Sequence, residues 1–136
     1  MKKNNMLLKE IKNILECKSF TDEKLLDKEI DHCYAADMIS DVLKSCKIGS
    51  LLLTNLVNPQ VIQVAEIMDL KGIVFVSGKV PAFEIIKKAR EKNLPLMTTE
   101  KQMFDACGIL YSNGLSGKGI REKSENGSRD TLHSDV

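Results

Sequence analysis

Three apolar runs, LLL at 51–53, GIVFV at 72–76 and LPLMT at 94–98, are each followed by a few polar residues and then an amphipathic segment. This repeat constrains the fold more than any other feature of the chain. The first run does not alternate apolar with polar, which is the pattern of a strand covered on both faces. After it, Val61, Val64, Ala65 and Met68 recur at helical spacing, with Gln60, Gln63, Glu66 and Asp69 on the opposite side. Asn58 is placed to cap this helix, and Pro59 suits its first turn, where a missing N–H costs nothing. Ala82, Ile85, Ile86 and Ala89 predict a second helix, with Asn93 in the left-handed conformation that ends it. Met103, Ala106, Cys107 and Leu110 predict a third, with Thr99 and Gln102 as a capping box and Asn113-Gly114 as its stop. Strands alternating with helices imply parallel pairing through crossovers. The expected fold is therefore α/β, a three-layer sandwich with a mainly parallel sheet.

The N-terminal third is less regular. Leu7, Leu8, Ile11, Ile14 and Leu15 form one helical stripe. Residues 17–35 read as one or two short strands able to join an edge of the sheet. Asp37 then reads as the N-cap of a helix whose stripe is Met38, Ile39, Val42, Leu43 and Cys46. From Ser112 the composition shifts to glycine, serine and charge, which cannot bury enough surface to offset ordering entropy. The expected organisation is one domain over 1–115 and a flexible tail over 116–136. GLSGKG in that tail lacks the spacing of a phosphate-binding loop and follows no strand.

Charge and composition narrow the function. Twenty basic against nineteen acidic residues give a net charge of +1, and aromatics are 4%. Neither an electrostatic footprint nor a stacking platform for nucleic acid is present. The first sixteen residues contain no continuous apolar stretch of the signal-peptide kind, and no run approaches membrane-spanning length. A cytoplasmic protein is expected, with no nucleic acid and no membrane among its partners. Cys17, Cys33, Cys46 and Cys107 form no C-x-x-C pair, so no metal site and no cofactor is expected.

In a parallel sheet the strand C-termini and the helix N-termini gather on one rim, where ligands usually bind. Thr54, Asn55 and Asn58 follow the first run, Ser77, Gly78 and Lys79 the second, and Thr98 and Thr99 close the third. Hydroxyls, amides and one lysine beside helix N–H groups suit a phosphate or carboxylate. The same residue types also cap helices in any α/β protein. No catalytic residue is expected. His32 and Cys33 are adjacent, and neighbouring strand residues point to opposite faces, so they make a poor nucleophile–base pair. Asp37 and Asp41 read as helix-start residues.

YAADMISDVLKSCKIGSLLLTNLVNPQVIQVAEIMDLKGIVFVSGKVP and LPLMTTEKQMFDACGILYSNGL together resemble the DRTGG domain in its short stand-alone form from anaerobic bacteria. The resemblance covers roughly residues 7–115 and is similar in plan to the N-terminal domain of HPr kinase, without its ATP-binding domain. Related domains accompany CBS-domain pyrophosphatases and phosphotransacetylases, where they look regulatory. The resemblance implies an often dimeric α/β domain without activity of its own. The family's Asp-Arg pair falls by position on Leu56-Val57 here, and its Thr-Gly-Gly on Val76-Ser77-Gly78, of which only Gly78 matches. Leu56 and Val57 are thereby candidates for a partner contact.

The expected function is a non-catalytic regulatory or adaptor domain that binds a nucleotide-like phosphorylated ligand, a protein partner, or both. The alternative is an accessory subunit of an iron–sulfur, hydrogenase-type redox complex acting through protein contacts. A homodimer is expected as well, on the argument that a small sheet leaves apolar faces of the first helix and the Asp37–Cys46 helix uncovered.

Overall fold

The computed structural model describes residues 5–117. The elements run β1 (Met6–Leu7), α1 (Leu8–Ile14), β2 (Lys18–Ser19), a 3-10 turn at Glu23–Asp27, β3 (Glu29–Ile30), β4 (Cys33–Ala35), α2 (Ile39–Ser45), β5 (Leu51–Thr54), α3 (Gln60–Ile67), β6 (Gly72–Phe75), α4 (Phe83–Glu91), β7 (Leu96–Thr98) and α5 (Met103–Ser112). The main sheet has the order β2-β7-β6-β5-β4. Strands β4 to β7 are parallel, and β2 adds an antiparallel edge against β7. β1 and β3 form a separate antiparallel pair.

Alternation across the pleat sorts the core into two layers. Leu52, Ile73, Phe75 and Leu96 pack against Val42 of α2, Val61 and Ala65 of α3, and Ile85 and Ala89 of α4. Leu51, Leu53, Val74, Val76 and Met97 pack against Leu8 and Ile11 of α1, Leu15 just beyond it, and Ala106 and Leu110 of α5. The result is the expected three-layer α/β sandwich with a mostly parallel sheet. Strands β4 to β7 advance in one direction without reversal, so their three crossover helices share a face. The crevice that a reversal of strand order opens in doubly wound sheets has no counterpart here.

The sheet accounts for both helices that were expected to leave apolar faces for a dimer. Leu8, Ile11 and Leu15 are fully buried beneath it, and Val42 and Cys46 are buried on its other side. Of the α2 stripe only Met38 and Leu43 remain exposed. That ground for a dimer is therefore withdrawn.

Two caps differ from expectation. Asp37 does not cap α2. Its carboxylate accepts the backbone N–H of Asn55 at 2.7 Å and the Asn55 amide at 3.1 Å, tying β4 to the loop after β5. Thr99 and Gln102 form no capping box, because α5 begins at Met103 with Gln102 at its N-cap. Asn93 does adopt the left-handed conformation, with φ 56°.

At the C-terminal end, Leu115 is buried and the Ser116 carbonyl accepts the Cys33 N–H at 2.9 Å. His32 and Ser116 form a parallel bridge there. Apart from Ser116 and Gly117, the expected tail lies outside the described residues. Among the described residues no helix is long and apolar enough to cross a membrane.

Candidate functional site

The ends of β4, β5, β6 and β7 share one rim, and the residues chosen from the sequence lie there, but most of their polar groups are engaged within the fold. Thr54 is buried; its Oγ1 accepts the Leu56 N–H at 3.0 Å and donates to Asp37 Oδ1 at 3.4 Å. Asn58 Oδ1 accepts the Gln60 N–H at 3.0 Å and so caps α3. Thr98 donates to the Lys79 carbonyl. Thr99 is 2% exposed, donates to the Leu15 carbonyl at 2.6 Å and accepts the Lys101 N–H at 3.2 Å. Val57 packs against the α2–α4 core layer, and Leu56 is half-buried.

Ser77 and Gly78 both have left-handed backbones, φ 61° and 71°. Successive N–H groups in such a turn form a concavity that suits an anion. Here the loop after β7 fills it: the Ser77 N–H donates to the Lys101 carbonyl and the Gly78 N–H to the Thr99 carbonyl, each at 2.8 Å. The Glu100 carboxylate also lies over the turn, 2.8 Å from where a Cβ on Gly78 would stand. Gly78 is thus needed both for its backbone and for the space it leaves. At this loop the anion-binding rim expected from the sequence is a loop-to-loop clasp. The groups that still face outward are the Ser77 and Lys79 side chains, with part of the Asn55 and Asn58 amides.

The buried hydroxyl of Thr99 gives a direct check on this clasp. Thr99→Val removes the donor to the Leu15 carbonyl while keeping the shape. We expect about 1–2 kcal/mol less stability in urea titrations, the usual range for a lost internal hydrogen bond that orphans a buried acceptor. A change within error would mean that Thr99 does not hold the rim to α1.

Beside the rim lies a groove of about 360 Å³ between α3 and α4. Pro59, Ile62 and Ile85 supply its apolar lining, and Glu84 and Lys88 its polar edge. Its far end is closed by the Lys92–Glu66 ion pair at 2.8 Å. The volume falls in the range of small-molecule sites. Sequence periodicity placed these residues on two helices but carried no signal that the helices would part to leave a groove.

Nucleophilic chemistry has one apparent candidate. His32 Nδ1 lies 2.9 Å from Ser50 Oγ and His32 Nε2 lies 3.5 Å from Asp31 Oδ1. Ser50, however, is 0% exposed, and its only proton goes to the Lys47 carbonyl at 2.7 Å. The Ser50 hydroxyl is thus held by the loop, and the array staples the starts of β4 and β5 at the edge opposite the rim. Cys33 lies in the other core layer, away from Ser50. Burial pushes the Cys17 and Cys33 thiols up to about 12, with Cys107 and Asp31 adding to the effect at Cys33. Both are protonated at neutral pH and are poor nucleophiles. Among the described residues no three His, Cys, Asp or Glu side chains converge to hold a metal ion.

No protein-family model and no curated protein matches the sequence. Among solved structures, the chain is similar to the CBS and DRTGG domains of the regulatory region of Clostridium perfringens pyrophosphatase, solved with its activator diadenosine tetraphosphate. The TM-score is 0.65 at 17% identity, over 83% of this chain and 52% of that one. The fold is thus DRTGG-like. The chain spans about half the length of the regulatory region it resembles.

Proposed function

We propose that this chain is a non-catalytic regulatory domain that binds a nucleotide-like phosphorylated ligand at the α3–α4 groove and the adjoining rim. The observation that carries the reading is the groove: an apolar floor for a base, edged by Lys88, in a fold similar to a regulatory region solved with a dinucleotide activator. In this reading Ile62 and Ile85 face the base. Lys88, with Lys79 and Ser77 from the loop that leads into α4, meets the phosphates. Asn58 directly precedes Pro59 of the groove wall, and Asn55 lies three residues earlier in the same loop. Thr54, Gly78, Thr98 and Thr99 act as scaffold, because their polar groups are already engaged.

Differential scanning fluorimetry with AMP, ATP and diadenosine tetraphosphate tests it. A ligand that binds only the folded state at a hundred times its Kd adds about 2.7 kcal/mol, which raises the midpoint by many degrees in a domain this small. Lys88→Glu should abolish the rise without lowering the ligand-free midpoint. A midpoint unchanged by all three nucleotides overturns the proposal.

A further inference from the structure

Three of the four cysteines border the α1–α5 core layer, and the strand order separates them. Cys17 directly precedes β2, at one edge of the sheet, and Cys33 belongs to β4, at the other. Four strand spacings are roughly 19 Å, far beyond the ~7 Å between Cα atoms that a disulfide can span. Cys46 is buried in the opposite layer, with the sheet between it and Cys33. Cys107 is placed differently. It lies on α5, packs against the same layer as Cys33, and lines the same groove of about 170 Å³ beside β4. Leu53 and Leu110 share that lining.

The two thiols are unequal. Cys33 is fixed by the sheet: its strand pairs with β5, and its N–H donates to the Ser116 carbonyl at 2.9 Å. Burial raises its pKa, and charge on Cys107 or Asp31 would raise it further, which marks Cys107 as a neighbour. At Cys107 burial acts alone. Cys107 is therefore the readier thiolate, and it is only half-buried.

We propose that Cys33 and Cys107 are a thiol pair that a low-molecular-weight disulfide oxidises, linking β4 to α5. Cys107 releases its proton to water, and its thiolate attacks one sulfur of the small disulfide. A mixed disulfide forms on Cys107 and one small thiolate leaves. Cys33 then gives up its proton and attacks the Cys107 sulfur. The Cys33–Cys107 bond forms and the second small thiolate leaves. Two protein thiols are oxidised, and the small disulfide is reduced to two thiols that take up the two protons. Cys33 is a poor nucleophile toward a molecule in solution, but the shared groove makes its attack intramolecular. Neither sulfur is a good leaving group, so the bond, once made, is slow to reduce. It ties an edge strand to a helix far along the chain and so constrains the unfolded state. The site lies across the sheet from the α3–α4 groove and stands or falls independently of nucleotide binding.

The reduced full chain, incubated folded with oxidised glutathione, should keep two of its four thiols when titrated after denaturation. Tryptic digestion without reductant should join fragment 29–44 to fragment 102–118, each of which holds one cysteine. Cys33→Ser should stop at a glutathione adduct on Cys107, and Cys107→Ser should leave Cys33 unmodified over the same time. The oxidised chain should have a higher urea midpoint, reversed by dithiothreitol. If either variant loses its far-ultraviolet circular dichroism, the linkage in the wild-type chain decides. Four thiols retained, a wild-type reaction that ends at the mixed disulfide, or a bond through Cys17 or Cys46 overturns the proposal. So does equal labelling of the two folded variants, or a midpoint lowered by oxidation, the mark of a bond that strains the fold.

Discussion

Stability should fall steeply between pH 9 and pH 11. Cys17 and Cys33 have thiol pKa values raised from an ordinary 9.0 to about 12, chiefly by burial. The unfolded chain releases both protons near pH 9, while the folded chain keeps them. Stability from these groups is therefore complete below that pH and is lost as pH climbs toward 12. Each thiol contributes a slope of about 1.4 kcal/mol per pH unit, so the pair removes roughly 5 kcal/mol over two units. That approaches the whole stability of a typical domain, about 5–15 kcal/mol. Cys46 and Cys107 are raised by burial too and act in the same direction. Lys28 acts oppositely: burial lowers its pKa, so the unfolded chain holds that proton longer and stability rises with pH through its range. One lysine does not offset four thiols. Urea midpoints measured from pH 8 to 11 check the effect, and Cys17→Ala with Cys33→Ala should flatten the profile although its neutral-pH stability is lower. Equal slopes in the two proteins would show that the thiols do not carry the alkaline sensitivity.

What the sequence made legible was local. The apolar stripes of α1, α3, α4 and α5 and the runs of β5, β6 and β7 follow from spacing over a few residues, and the parallel three-layer plan follows from their order. The left-handed Asn93 and the Asn58 cap are equally local. The misread positions are those whose partners are distant. Thr99 has a capping residue's chemistry, yet its hydroxyl is taken by Leu15, 84 residues away. Asp37 sits where a cap belongs, yet Asn55, 18 residues on, has it. The same limit governs the candidate site. Ser77-Gly78 was readable as a turn, since only a small flexible pair suits two positive φ angles. Where its N–H groups point depended on how close the loop after β7 would come. The expectation that α1 and α2 would seek a partner failed for a related reason: the sheet that covers them is widened by β2 at one edge and β4 at the other, strands of two and three residues with no period of their own.

Phe75→Ala should lose about 3–5 kcal/mol, the usual cost of emptying a buried aromatic site. Phe75 is 0% exposed and lies in the central strand, opposite Thr54 on one side and Thr98 on the other. Its ring belongs to the core layer that α3 and α4 cover, beneath the proposed groove. Its carbonyl accepts the Thr99 N–H at 2.9 Å, and the clasp between the β6 and β7 loops begins two residues later. Truncation therefore weakens the packing of α3 and α4 and the base of the rim together. The urea midpoint should drop with little change in slope, because the surface exposed on unfolding is nearly the same. Amide exchange at Ser77 and Gly78 should quicken by the same free energy if the clasp opens only with the core. Phe83→Ala, at the exposed start of α4, is the control and should fall within about 0.5 kcal/mol of the parent. A Phe75→Ala loss below about 1.5 kcal/mol, far under the usual cost of such a truncation, would mean that α3 and α4 can close over the gap. The groove between them would then be adaptable and not a preformed seat for a base.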